Sequence, residues 1–195
     1  MRMKRRNIVN ITEKDIALVL KAFAFAAEKH RAQKRKGRGR HPYINHLIDV
    51  AELLWELGGV RDTVTIVAGI LHDTIEDTDT TAGELAALFD GSISSVVEEV
   101  TDDKGLSQPV RKRLQIEHAA GLSARARLVK IADKISNITD IMNAPPEGWS
   151  ARRRREYVEW GQDVIARIRG TNEGMERHFD ELCVHAFQTI GDDMS

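Results

Sequence analysis

The chain has 195 residues, 42% hydrophobic and 30% charged, which suits one domain with its own core, spanning residues 1–195. A formal net charge of −1 excludes a protein that coats nucleic acid, and no stretch approaches the apolar length of a membrane span. The single cysteine, Cys183, excludes an internal disulfide and a cysteine-based zinc site, and no apolar signal-peptide core follows the basic start Met1–Arg6, so a cytoplasmic location is expected.

In chain order, Thr12 precedes a helical pattern from Glu13 to about His30, with Asp15 placed for a weak capping box. Ala17, Leu20, Ala24 and Ala27, with Phe23 beside them, predict its buried face. Arg31–His41 then loses periodicity and reads as a loop, carrying Arg31, Lys34, Arg35, Lys36, Arg38 and Arg40 among glycines. Asn45 to Leu57 predicts a second helix, stopped by Gly58-Gly59, with Leu47, Val50, Ala51 and Leu54 buried and His46 in its first turn. Thr63–Leu71 is apolar and β-branched, yet no partner strand exists elsewhere, so a short buried helix is expected.

Thr81-Ala82-Gly83-Glu84 reads as a capping box opening a helix that ends near Asp90-Gly91. Helices follow at Ser92 to about Val100 and Val110 to Ala120. Ser123–Met142 is a long helix with Leu128, Ile131, Ile135 and Ile138 facing the core, ended by Pro145-Pro146. Ser150 caps the next, to about Arg169, and Glu173–Phe187 is the last. The fold class is all-α, a bundle of roughly eight or more helices by periodicity.

Two histidines and two aspartates stand out against this background. His46, His72, Asp73 and Asp133 form a ligand set for one divalent metal ion: imidazoles offer nitrogens, and two carboxylates balance two positive charges. His72-Asp73 closes an apolar run and Asp133 sits among Leu128, Val129, Ile131, Ala132 and Ile135, where an unpaired carboxylate is costly. Alone, a His-Asp dipeptide is common, and its blander reading is a hydrogen-bonded core histidine. Mixed nitrogen and oxygen ligands suit Mn²⁺, Fe²⁺ or Zn²⁺, with the carboxylates favouring Mn²⁺ or another octahedral ion. His30, His41, His118, His178 and His185 fall outside the pattern, so one metal is expected. Glu76 and Asp77 stand where carboxylates could orient or deprotonate water, although Glu76-Asp77-Thr78-Asp79 alone would pass for a solvated helix end. Asn137, four residues after Asp133, shares its helical face.

A histidine, then His-Asp, then a distant Asp resembles the HD superfamily of metal-dependent phosphohydrolases. The finer pattern resembles the hydrolase domain of the Rel/SpoT stringent-response enzymes, and most closely the stand-alone small alarmone hydrolases of the metazoan SpoT homologue type. It is carried by Lys34-Arg35-Lys36, Pro42–His46, Leu71–Thr81, Glu99–Lys104, Ala132–Asn137, Pro146-Glu147-Gly148-Trp149 and Glu156–Trp160, over about Ala22 to Glu181. The resemblance implies an all-α HD fold, one Mn²⁺ ion, and removal of the 3′-pyrophosphate from guanosine 3′,5′-bis(diphosphate) (ppGpp) and its pentaphosphate relative. By position it implies His46, His72, Asp73 and Asp133 as metal ligands, Glu76 and Asp77 as the catalytic acids, and Arg35, Lys36, Asn137 and Tyr157 near the nucleotide. Leu47 stands where that family often has proline, Ile135 replaces a common leucine, and Arg38–His41 is variable among its members. The chain offers no room for a synthetase or regulatory domain, so a hydrolase alone is expected.

Two other function classes fit less well. A nucleic-acid-binding module would use the basic loop on an extended cationic face with exposed aromatics, but aromatics are only 5% and the net charge is near zero. An HD phosphohydrolase acting on NADPH or deoxynucleotides keeps the same metal chemistry. The expected partner is a small nucleotide, with no nucleic acid and no membrane.

Overall fold

The computed structural model describes residues 11–37 and 39–192. The basic start Met1–Arg6 and Arg38 of the basic loop, both part of the expectations above, lie outside the described residues. Ten α-helices occur among the described residues: α1 (Glu13–Lys29), α2 (Ile44–Glu52), α3 (Thr63–Leu71), α4 (Thr74–Asp77), α5 (Ala82–Leu88), α6 (Gly91–Val100), α7 (Gln108–Ala119), α8 (Ala124–Asn143), α9 (Ala151–Ala166) and α10 (Glu173–Asp192). No strand forms there; Lys34–Pro42 and Gly37–Pro146 are isolated bridges. No described helix is long and apolar enough to cross a membrane.

Capping chemistry sets the helix starts. Thr12 and Asp15 form the reciprocal box at α1. The side chains of Asp62, Ser123 and Ser150 accept backbone N–H groups at α3, α8 and α9. At α5 only half of the expected box exists: Thr81 Oγ1 accepts Glu84 N–H, while the Glu84 carboxylate pairs with Lys29. The ion pair across helices takes the carboxylate that would have closed the box.

The buried face of α1 is rotated from the expected one. Ala17, Leu20, Ala24 and Ala27 are exposed, Ala22 and Ala26 are buried, and Leu18, Val19, Phe23 and Phe25 pack against the core. Both alanine rows satisfy helical spacing. The larger Leu18, Val19 and Phe25, which bury more apolar area, decide between them. The second predicted helix exists, but its last turn, Leu53–Leu57, widens to π geometry, with Gly58 N–H donating to the Leu53 carbonyl at 2.9 Å. Leu47, Val50, Ala51 and Leu54 are buried as expected.

Two helices position the site. α3 is buried along most of its length and packs on α1, α2, α6 and α8. Gly69 permits that approach, since a Cβ there would lie 2.6 Å from Leu54 Cδ1. α8 packs on α2, α3, α6, α9 and α10, with Ile131, Ile135 and Ile138 buried and Leu128 half-buried against them. The C-terminal end of α3, the first turn of α2 and the middle of α8 therefore meet at one point. The basic loop packs closely on the C-terminal end of α8 at Gly37, where a Cβ would run into the Ala144 carbonyl oxygen.

Candidate metal centre and cleft

His46, His72 and Asp133 bring ligand atoms within 4.8 Å of one another. His46 Nε2 lies 3.4 Å from Asp133 Oδ1 and 3.6 Å from Asp73 Oδ2. His72 Nε2 lies 3.1 Å from Asp73 Oδ2 and 3.6 Å from Asp133 Oδ1. The two rings are 1% and 5% exposed. The four residues named from the sequence thus converge.

Their surroundings aim the rings. His72 Nδ1 donates to the Gly69 carbonyl at 2.8 Å, which leaves Nε2 as the bare nitrogen facing the carboxylates. His46 Nδ1 is 2.9 Å from Ser136 Oγ. Tyr43 donates its hydroxyl to Asp73 Oδ2 at 2.6 Å. Lys134, 3% exposed, donates to Asp133 Oδ2 at 3.0 Å, and the Asn137 amide donates to Asp133 Oδ1.

The donor set fits a divalent cation. His72 Nε2 is buried and makes no hydrogen bond of acceptable geometry, although two carboxylate oxygens stand beside it. Burial pulls the His72 ring toward neutrality, and the Asp73 and Asp133 carboxylates outweigh it, lifting its pKa above the ordinary value. Those carboxylates attract positive charge to this point, and a metal ion can stand where the proton would. Burial holds the His46 pKa below the ordinary value, as a neutral ligand requires.

Glu76 and Asp77 are carried by α4, one short turn beside the centre. Glu76 accepts Asp102 N–H at 3.1 Å and Arg111 at 3.2 Å. Burial, joined by neighbouring carboxylates, raises its pKa, the direction a general base at neutral pH needs. Asp77 accepts Gln33 at 2.9 Å and an ammonium from Lys104.

His72, Asp73, Asp133, Glu76 and Asp77 line one cleft of about 540 Å³, a volume that suits a nucleotide, while His46 lines the pocket next to it that shares Arg35, Gly37, Asp140 and Ala144. Lys36 lines the cleft and is exposed. Arg35 also lines it and is tied into its wall. Its side chain is 15% exposed, and it donates to Asp140 at 2.7 Å and to Asn137 at 2.8 Å. Asn137 thereby links Arg35 to Asp133. Tyr157 stands in an aromatic wall, its ring centroid 5.7 Å from Trp149 and 5.1 Å from Trp160. Lys112 lies over Tyr157 and Trp160, and Lys134 over Trp160.

Tyr43, Ser136, Lys134, Lys104 and Arg111 were not singled out from the sequence. A signal existed for two of them: Tyr43 is one helical turn before His46, and Lys134 is a charge inside an apolar run. Lys104 and Arg111 come from a loop and a helix whose approach only the tertiary fold reveals.

A helical bundle with a histidine and carboxylate centre defines the class, and the chain belongs to the HD domain family, which matches residues 22–175. Its nearer relatives are narrower in kind. The chain is 48% identical over 168 residues to guanosine-3′,5′-bis(diphosphate) 3′-pyrophosphohydrolase MESH1 of Xenopus tropicalis, covering 86% of this chain and 94% of that protein. It is 46% identical over 177 residues to the Homo sapiens protein of that name, covering 91% and 97%. A solved structure, described as a metazoan ortholog of SpoT that hydrolyzes ppGpp, superposes with a TM-score of 0.83 at 42% identity, covering 85% of this chain and 93% of that one.

Proposed function

We propose that this chain, as one domain, hydrolyses the 3′-pyrophosphate of ppGpp and its pentaphosphate relative, giving GDP or GTP and pyrophosphate. One observation carries the reading: a buried centre of two imidazoles and two carboxylates opens into a nucleotide-sized cleft with Glu76 and Asp77 beside it. The activity named for relatives of near-equal length supports it.

His46, His72, Asp73 and Asp133 hold one divalent ion, and the balance of carboxylate and imidazole favours Mn²⁺. Bound there, the ion supplies electrophilic polarisation of a phosphoryl oxygen and makes water more acidic. Glu76 takes the proton of the attacking water, with Arg111 and the Asp102 N–H fixing its orientation. Asp77, held by Gln33 and Lys104, supports the water's position. Arg35, Lys36, Asn137 and Tyr157 hold the nucleoside end, with the Tyr157 wall offering a ring face to a base. The enzyme acts in the cytoplasm.

The test is a specificity screen with Mn²⁺, comparing ppGpp, NADPH and deoxynucleoside triphosphates. The expected result is kcat/KM highest for ppGpp. A protein that leaves ppGpp intact but dephosphorylates NADPH or deoxynucleotides has the related hydrolase function instead.

A further inference from the structure

Lys130 is 7% exposed and lines the cleft, yet among the described residues its ammonium donates only to the Val100 carbonyl, at 3.1 Å. A lysine ammonium carries three donors, and a buried cation without an anion in contact is costly. Lys134, one turn along, has Asp133; Lys130 has no such partner. Burial, with repulsion from Lys134, draws its ammonium pKa below the ordinary value, against the pull of the Asp133, Asp102 and Asp73 carboxylates. Arg111 adds a second, independent observation. It lines the same cleft, and its buried Nε makes no hydrogen bond, although its NH1 holds Glu76.

The position of Lys130 along α8 gives these unused donors a meaning. Asn137, Asp133 and Lys130 share a helix face at spacings of four and three residues. Asn137 therefore lies roughly 6 Å along the axis on one side of Asp133, and Lys130 roughly 4.5 Å on the other. Arg35 bonds Asn137 on the first side. On the second, Lys130 donates to the Val100 carbonyl, and Asp102 and Arg111, both bonded to Glu76, line the same cleft. A nucleotide whose nucleoside lies toward Asn137 and whose reacting phosphorus lies at the metal centre extends its outer phosphoryl group toward Lys130.

We propose that Lys130, with Arg111 of the same cleft, forms an anion subsite for the distal phosphoryl of the 3′-pyrophosphate, and so binds pyrophosphate as product. This rests on the reading of the reaction given above. In that reaction water adds to the phosphorus on the ribose 3′ oxygen, the P–O3′ bond breaks, the 3′ oxygen gains a proton, and pyrophosphate carries the water oxygen away. The subsite makes the enzyme selective for a 3′-diphosphate over a 3′-monophosphate.

The test uses Lys130→Met, which fills the same space without charge, and Lys130→Arg, which keeps the charge. Turnover is compared on ppGpp and on guanosine 5′-diphosphate 3′-monophosphate, which lacks the distal phosphoryl. Inorganic pyrophosphate is also titrated into each protein with Mn²⁺ in excess. The expected result is that Lys130→Met weakens pyrophosphate binding roughly ten- to a hundredfold, as for one lost charge-assisted contact. It should lower kcat/KM on ppGpp by a similar factor, leave the 3′-monophosphate reaction within about twofold, and be partly rescued by Lys130→Arg. Unchanged pyrophosphate binding, or equal losses on both substrates, would overturn the subsite. If the wild-type protein releases no pyrophosphate from ppGpp, the reading of the reaction fails, and the pyrophosphate titration still decides the subsite.

Discussion

Asp73 accepts the Tyr43 hydroxyl and faces both imidazoles, so removing its carboxylate deletes one negative charge of the centre and strands Tyr43. Asp73→Ala is expected to lose bound metal and activity together; full metal occupancy by elemental analysis would count against the ligand assignment. Glu76 and Asp77 call for the opposite split. Glu76→Gln keeps an oxygen for Asp102 N–H or Arg111, and Asp77→Asn keeps one for Lys104 or Gln33. Both are expected to retain fold and metal while turnover falls ~10²- to 10⁴-fold. Near-normal rates in both single variants and the double variant would remove the pair from the chemistry. At this scale the residues that converge were legible because burying a carboxylate or an imidazole in an apolar run demands a partner. The residues that aim them were not, because Ser136, Lys104 and Arg111 acquire meaning only from a tertiary neighbour.

α3 carries His72 at its C-terminal end, and Asp62 anchors its start. Asp62 accepts Thr65 N–H at 3.1 Å and the Thr65 hydroxyl at 2.6 Å, and Arg125 of α8 donates to it at 2.8 Å. Burial raises the Asp62 pKa, but the Arg125 and Thr65 hydrogen bonds outweigh it and hold it below the usual carboxylate value. A pKa depressed by folding gives stability that is present above the unfolded value, near 3.9, and is lost as pH falls through the folded value. Asp62→Ala should therefore cost about 0.5–2 kcal/mol at pH 7, as for a lost N-cap. The gap between wild-type and variant melting temperatures should narrow below about pH 4. A gap that stays constant down to pH 2 would show that the carboxylate charge contributes nothing. Helix starts of this kind were readable at Thr12 and Ser150, because a capping side chain acts on its own backbone. The face of α1 was not readable, since alanine spacing is satisfied by two rows and packing against α3 chooses one. The π turn after α2 was equally hidden: it accommodates one residue more than an α-helical turn and leaves the apolar stripe intact.

Across the whole molecule, the bundle brings together segments far apart in the chain: His46 from α2, His72-Asp73 after α3, Glu76-Asp77 on α4 and Asp133 on α8. Their order and residue types could be read along the chain. Their convergence depends on α3 packing on α2 and α8, and Gly69 leaves room for Val50 of α2 and Leu54 just after it. Arg35 shows the limit of reading along the chain. In a basic loop it passes for a free cation, whereas the fold ties it to Asp140 and Asn137 and so makes it part of the cleft wall. The central claim is that this cleft directs hydrolysis to the 3′ side of a guanosine bis(diphosphate). The most direct measurement is phosphorus NMR of ppGpp treated with the Mn²⁺-loaded protein. The expected spectrum loses the 3′-diphosphate signals, gains inorganic pyrophosphate and keeps the 5′-diphosphate signals unchanged. Release of orthophosphate, loss of the 5′-diphosphate signals, or an unaltered spectrum would contradict it.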